Sequence, residues 1–127
     1  MGQVLLIDDN ALQLKVRESV LRNAGFTVCV ADGAESALAM LSVAASRISL
    51  VITDHVMPGG DGAHFARKLR QAENWTPVIV LSGMPEAEPE YDGLDVVFRV
   101  KPVPPPELIE LVRKCLAGDG NHQVGAA

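Results

Sequence analysis

The chain has 127 residues, which is enough for one ordinary domain and too few for two. Its formal net charge of −5 argues against a nucleic-acid-binding surface, which would need a basic face. No apolar run approaches the ~20 residues that cross a bilayer, and no basic start followed by an apolar stretch marks a secretory signal. We therefore expect a soluble, cytoplasmic domain whose partners include neither nucleic acid nor membrane.

Five short apolar runs predict the strands of one sheet. They occupy residues 4–7, 27–30, 50–53, 78–81 and 96–100. Most of them are continuous rather than alternating, which is typical of strands that are buried on both faces of a parallel sheet. Aromatic residues make up only 4% of the chain, so the core must be built from aliphatic side chains.

Stretches with helical spacing separate these runs. Apolar side chains recur three and four positions apart over residues 12–24, 34–45, 65–72 and 108–115. Strands that alternate with helices predict a doubly wound α/β domain around a parallel sheet. We assign residues 1–118 to this domain and expect residues 119–127, which have no apolar period, to form a flexible tail.

Three polar residues are candidate helix caps. Asn10 and Asp32 are each followed three positions later by Gln or Glu, which is the capping-box pattern. Asp61 precedes the third helical stretch and is a candidate of the same kind.

The segment between the fourth and fifth apolar runs does not support a regular helix. A helix should connect the two strands there, but Pro85, Pro89 and Gly93 interrupt the segment. Proline lacks a backbone N–H and clashes with the preceding helical turn. We predict a short or irregular fourth helix.

Polar side chains follow the predicted strands. Asp8 and Asp9 follow the first, Asp54 the third, Ser82 the fourth and Lys101 the fifth. Ligands of an open parallel sheet bind beyond the carboxyl ends of its strands, so these groups should share one crevice. A lone Asp at such a position would be read as a helix cap, but three carboxylates repel one another, by about 4 kcal/mol per pair at ~4 Å and an effective dielectric near 20. Lys101 and a divalent cation would offset this repulsion, and oxygen ligands suit Mg2+.

Phosphoryl transfer is the chemistry that such a set would serve. Asp54, on the central strand, is the candidate nucleophile and would form an aspartyl phosphate. Asp8 and Asp9 are candidate metal ligands, while Ser82 and Lys101 could hold phosphoryl oxygens.

Four motifs in order resemble the response-regulator receiver domain of two-component signalling. They are LLIDDN at 5–10, VITDHVMPGGDG at 51–62, VIVLSG at 78–83 and FRVKP at 98–102, and the resemblance covers residues 3–117. It implies a flavodoxin-like strand order 2-1-3-4-5. It also implies that a histidine kinase or phosphotransfer protein passes a phosphoryl group to Asp54. Such a domain promotes its own phosphorylation and dephosphorylation and is not otherwise an enzyme.

The resemblance further implies a metal site. Asp9, Asp54 and the backbone carbonyl of Val56 would bind Mg2+ directly, whereas Asp8 would act mainly through water. His55, beside the acceptor, is interpreted as a strand-end side chain rather than as a second phosphate carrier.

The remaining roles concern the conformational switch. Ser82 would be the switch hydroxyl that moves towards the phosphoryl group, and Phe98 the switch aromatic residue. Lys101 would pair with a phosphoryl oxygen. The peptide bond between Lys101 and Pro102 is often cis in the family, and the sequence leaves its isomer open.

Two departures from the family lead to further expectations. Val56 and Met84 flank the acceptor and are apolar, so neither can orient an attacking water, and the phosphoryl group should be lost slowly. The irregular segment at 85–92 should not support the dimer that many relatives form through their fourth helix.

Competing interpretations stay open from the sequence. One is a Mg2+-dependent phosphatase of the aspartyl-phosphate type, although Asp54 lacks the acid two residues on that such enzymes use. A nucleotide- or flavin-binding module would need a glycine-rich loop after the first strand. A receiver-like interaction module without phosphorylation is the third. The chain is compatible with a free-standing receiver and with part of a larger chain such as a hybrid histidine kinase.

Overall fold

A five-stranded parallel sheet forms the centre of the protein, as described by a computed structural model over residues 2–43, 47–57 and 61–118. The strands are β1 (Gln3–Ile7), β2 (Val28–Ala31), β3 (Ile48–Asp54), β4 (Val78–Ser82) and β5 (Val97–Val100). Their order is β2-β1-β3-β4-β5, and all neighbouring strands are parallel. The predicted fold class and strand order are confirmed.

Helices connect the strands along the chain. They are α1 (Ala11–Asn23), α2 (Ala34–Leu41), α3 (Gly62–Gln71) and α4 (Pro105–Leu116), with a 3-10 helix (Pro85–Tyr91) between β4 and β5. Within the described ranges, none of these helices combines the length and the apolar character that crossing a membrane requires. The end of the predicted second helix, at residues 44–45, and the predicted tail, at 119–127, lie outside the described residues.

Two of the three predicted caps are present. The side chains of Asn10 and Asp61 each accept the backbone N–H three residues later, at 2.9 and 2.8 Å. The prediction for Asp32 is wrong, because α2 begins one residue later than expected and Gly33 occupies its N-cap. Asp32 instead accepts a hydrogen bond from the Ser36 hydroxyl at 3.0 Å.

The predicted irregular fourth helix is the 3-10 helix. Pro85 begins it and Pro89 lies inside it, where proline cannot donate the hydrogen bond that an α-helix would need. Ala87 and Tyr91 are buried and hold the segment against the sheet. Whether it supports a dimer stays a prediction.

Apolar side chains form one core on each face of the sheet. Side chains alternate along a strand, so Leu5 and Ile7 join the core beneath α2 and α3, whereas Val4 and Leu6 join the core beneath α1 and α4. With both faces covered, the carboxyl edge of the sheet is where polar side chains converge.

Candidate functional site

Strand register brings two carboxylates side by side at the carboxyl edge of the sheet. Ile7 of β1 is the register partner of Thr53 of β3. The next residue on each strand is an aspartate, Asp8 and Asp54, and both are buried. Two acids from distant parts of the sequence therefore share one small, poorly solvated volume.

Lys101 contacts the central carboxylate from the end of β5. Its Nζ lies 2.9 Å from Oδ1 of Asp54. The backbone N–H of Lys101 donates to the carbonyl of Ser82 at 2.7 Å, which ties the lysine to the end of β4. The Lys101–Pro102 peptide bond, whose isomer the sequence left open, is cis.

A second cation, which the sequence analysis missed, lies between the two acids. Nη1 of Arg17 is 3.2 Å from Oδ2 of Asp8 and 3.1 Å from Oδ1 of Asp54. Arg17 lies on α1, one turn after Gln13, in the helix that begins just beyond the acidic end of β1. That position was a usable signal, because residues four apart on a helix share a face.

Gln13 also bridges the carboxylates. Its Nε2 donates to Oδ2 of Asp8 at 2.9 Å and to Oδ2 of Asp54 at 3.3 Å. The backbone N–H of Asn10 donates to the other oxygen of Asp8 at 2.9 Å. In the sequence, Gln13 stood out only as part of a capping pattern, but the side chain of Gln13 faces the site.

The two carboxyls are driven to different protonation behaviour. Burial raises the pKa of Asp8 to about 6, Asp54 adds to the rise, and Asn10 and Arg17 oppose it. Burial alone would also raise the pKa of Asp54, but the hydrogen bond with Asp8 and the charges of Arg17 and Lys101 outweigh it, so this pKa is lowered. The lowered pKa favours the ionised form of the Asp54 carboxyl.

Other predicted site residues lie nearby without touching the carboxylates. Ser82 is buried, and its Oγ accepts the N–H of Met84 at 2.9 Å and donates to the carbonyl of Met84 at 3.3 Å. Asp9 is exposed, and no hydrogen bond or ion pair in the described part of the chain joins it to Asp54. Val56 is 65% exposed beside the site.

Phe98 belongs to an aromatic chain that reaches back to the acceptor strand. Its ring packs against Tyr91 with centroids 5.6 Å apart. The hydroxyl of Tyr91 lies 2.6 Å from Nδ1 of His55, the residue after Asp54. A Cβ at Gly62 would lie 2.5 Å from that hydroxyl, so a glycine is needed there. The interpretation of His55 as a plain strand-end residue therefore missed a specific hydrogen bond.

The carboxylates are suited to sharing a cation. Oδ2 of Asp8 and Oδ1 of Asp54 both lie within 3.2 Å of one Arg17 nitrogen, so they converge on a single position. Carboxylate oxygens are the ligands that Mg2+ prefers. The donor set therefore fits a divalent metal as well as an organic cation.

Comparisons with known proteins agree with this geometry. A sequence model described as the response regulator receiver domain matches residues 4–113. The transcriptional regulatory protein PrrA of Mycobacterium tuberculosis is 34% identical over 123 residues, which are 94% of this chain and 52% of that protein. The chain spans 19% to 53% of the length of the first curated relatives that it matches.

Solved structures show the same relationship. A response regulator receiver protein from Pseudomonas putida is 35% identical with a TM-score of 0.81, covering 89% of this chain and 96% of that one. The signal receiver domain of a signal transduction histidine kinase from Syntrophus aciditrophicus is 25% identical with a TM-score of 0.81, covering 93% and 92%. Because the family model matches residues 4–113, which are most of the chain, this chain belongs to the response regulator receiver domain family.

Proposed function

We propose that this domain accepts a phosphoryl group on Asp54, in a Mg2+-dependent reaction, from a phosphohistidine of a histidine kinase or phosphotransfer protein. The observation that carries the proposal is the state of Asp54. It is a buried carboxylate at the carboxyl end of the central strand, with the ammonium of Lys101 2.9 Å from its Oδ1. An ionised acid beside a fixed cation is the arrangement that an acyl phosphate needs.

In this reaction a carboxylate oxygen of Asp54 attacks phosphorus and the bond between phosphorus and the donor's imidazole nitrogen breaks. Among the hydrogen bonds of the described residues, Oδ1 accepts from both Lys101 and Arg17, whereas Oδ2 accepts a longer bond of 3.3 Å from Gln13. The less engaged Oδ2 is therefore the better nucleophile. Lys101 would then pair with a phosphoryl oxygen while it stays tied to β4 through its backbone.

The proposed metal ligands are Asp9, Asp54 and the backbone carbonyl of Val56, with Asp8 acting mainly through water. Bound there, Mg2+ would neutralise charge on the phosphoryl oxygens during transfer. The convergence of one Asp8 oxygen and one Asp54 oxygen on a single cation position supports a metal site beside Asp54. Asp9 is exposed at the rim, where it is free to turn towards an arriving ion.

Ser82 and Phe98 are proposed to transmit the change. To donate to a phosphoryl oxygen, the Ser82 hydroxyl must release the hydrogen bond that it donates to the carbonyl of Met84, the N-cap residue of the 3-10 helix. Phe98 packs against Tyr91 at the end of the same helix. Movement at Ser82 would therefore reach both ends of the 3-10 segment.

The proposal is tested by incubating the domain with acetyl phosphate in the presence of Mg2+. We expect the intact mass to rise by one phosphoryl group, the modified peptide to contain Asp54, and a chelator to prevent the reaction. Beryllofluoride, which mimics an acyl phosphate, should perturb the spectra of residues around Asp54. A mass gain that survives complete metal removal, or steady turnover of a generic phosphate ester, would contradict the proposal.

The phosphoryl group should be lost slowly. Val56 and Met84 flank the acceptor, are exposed, and carry no group that could orient a hydrolytic water. We expect labelled phospho-Asp54 to persist in Mg2+, and we expect replacement of both residues by glutamine to shorten its lifetime. Loss of the label from the unmodified domain within seconds would contradict this expectation.

A further inference from the structure

We propose that Arg17 is an internal counter-cation that competes with the divalent metal for Asp8 and Asp54, so that its guanidinium must move away when the metal binds. The inference deepens the proposed Mg2+-dependent function and rests on it. Under this proposal Arg17, a residue of α1, lowers the affinity of the site for Mg2+.

The contacts of Arg17 carry the inference. One nitrogen, Nη1, contacts both acids, at 3.2 Å from Asp8 and 3.1 Å from Asp54. The Arg17 side chain is only 13% exposed, so solvent screens these ion pairs weakly. A cation therefore already occupies the position on which the two carboxylates converge.

Two cations already balance the two buried carboxylates of the site without a metal, and the exposed Asp9 is the third acid beside them. Asp8 and Asp54 supply at most two negative charges, and Lys101 and Arg17 supply two positive charges. A divalent ion entering beside Asp54 would bring two more positive charges next to an already neutralised pair. Like charges at such separations repel strongly in a partly buried site. Metal binding should therefore be weaker than the carboxylates alone would allow.

A groove beside Arg17 has room for its guanidinium. A groove of about 290 Å3 lies between α1 and the segment that follows β5, and its lining includes Gln13, Val16, Arg17, Lys101 and Pro102. Arg17 already lines this groove, so a rotation of its side chain along the groove could carry the charge away from Asp54. The backbone of α1 could stay in place.

The test compares Mg2+ affinity in the unmodified domain and in Arg17→Met, which keeps a long apolar stem but removes the charge. The dissociation constant is measured by calorimetry, and independently from the rise of the unfolding temperature with Mg2+ concentration. We expect Arg17→Met to bind Mg2+ roughly tenfold more tightly or better, since one adjacent unit charge has been removed. Arg17→Gln, which can still donate hydrogen bonds, is a second variant should the methionine variant fail to fold.

Lys15→Met is the matched control. Lys15 lies on the same helix, is exposed, and its replacement changes the net charge by the same amount. We expect its Mg2+ affinity to stay within about twofold of the unmodified domain, because surface charges are screened.

The outcomes separate this inference from the proposed function. If both Arg17 variants bind Mg2+ as the unmodified domain does, and phosphorylation still depends on Mg2+, the proposed role of Arg17 is wrong and the proposed function stands. An equal gain in Lys15→Met would also overturn it, because the effect would then be one of net charge. If acetyl phosphate does not phosphorylate the domain without substitutions at saturating Mg2+, the proposed function itself is wrong.

Discussion

Replacing Asp54 with asparagine should abolish phosphorylation of the domain. The amide has almost the same shape as the carboxylate but is a poor nucleophile, and it cannot form the acyl phosphate. It also removes the negative charge on which Lys101 and Arg17 converge, at 2.9 and 3.1 Å. After incubation with acetyl phosphate and Mg2+, the intact mass of the Asp54→Asn protein should show no phosphoryl gain.

Asp92→Asn is the control for this experiment. Asp92 is an exposed residue just after the 3-10 helix, so the substitution changes the net charge equally but leaves the site intact. We expect this variant to be phosphorylated like the unmodified domain. Circular dichroism should show that both variants keep the fold. A phosphoryl gain in Asp54→Asn equal to that of the control would move the acceptor to another residue.

Arg70→Met should be the most destabilising of the substitutions considered, by about 2–4 kcal/mol in the free energy of unfolding. Arg70 is a buried residue near the end of α3. Its guanidinium donates four hydrogen bonds, of 2.8 to 3.0 Å, to backbone carbonyls of Asn74, Thr76, Leu94 and Asp95. Methionine would fill part of the volume but would leave these acceptors without their donor.

The backbone around these carbonyls explains why the effect should be large. Asp95 has a φ of 55°, in the left-handed region that most side chains avoid. Through these bonds Arg70 joins the loop before β4 to the loop before β5. Burial lowers the pKa of the Arg70 guanidinium and Asp95 opposes this, yet an arginine stays charged at neutral pH.

Urea unfolding of Arg70→Met beside Arg67→Met measures this contribution. Arg67 is exposed on the same helix, so its replacement should change stability by less than about 0.5 kcal/mol. Arg70 binds the loops that enter β4 and β5, whereas the acidic site lies at the carboxyl ends of the strands. The folded Arg70→Met protein should therefore still be phosphorylated. Superimposable unfolding curves for the two variants would show that the buried hydrogen bonds contribute little.

Much of the fold could be predicted because it depends on short, local patterns. Continuous apolar runs predicted all five strands, and proline at 85 and 89 predicted the irregular fourth helix, which is a 3-10 helix. The cap at Asp32 was predicted wrongly, since the pattern cannot tell which of two neighbouring residues begins a helix.

The acidic site could be predicted from the sequence only in part. Asp8, Asp54 and Lys101 were recognisable because each directly follows an apolar strand, and parallel strands end at the same edge of a sheet. The strand order itself came from the resemblance of four motifs to a known family rather than from spacing. The position of a polar residue at a strand end can thus be predicted from the sequence.

The amino-acid sequence by itself determined the strands, their polar ends and therefore the class of chemistry that this domain can perform. Only the tertiary structure decided that Arg17 bridges Asp8 and Asp54, that Tyr91 bonds to His55, and that Arg70 joins two loops. The physical reason is that these long side chains reach partners that are distant in sequence. Their direction is set by how the helices pack on the sheet. A local pattern, such as the four-residue spacing of Gln13 and Arg17, indicates a shared helix face but not the partners that this face meets.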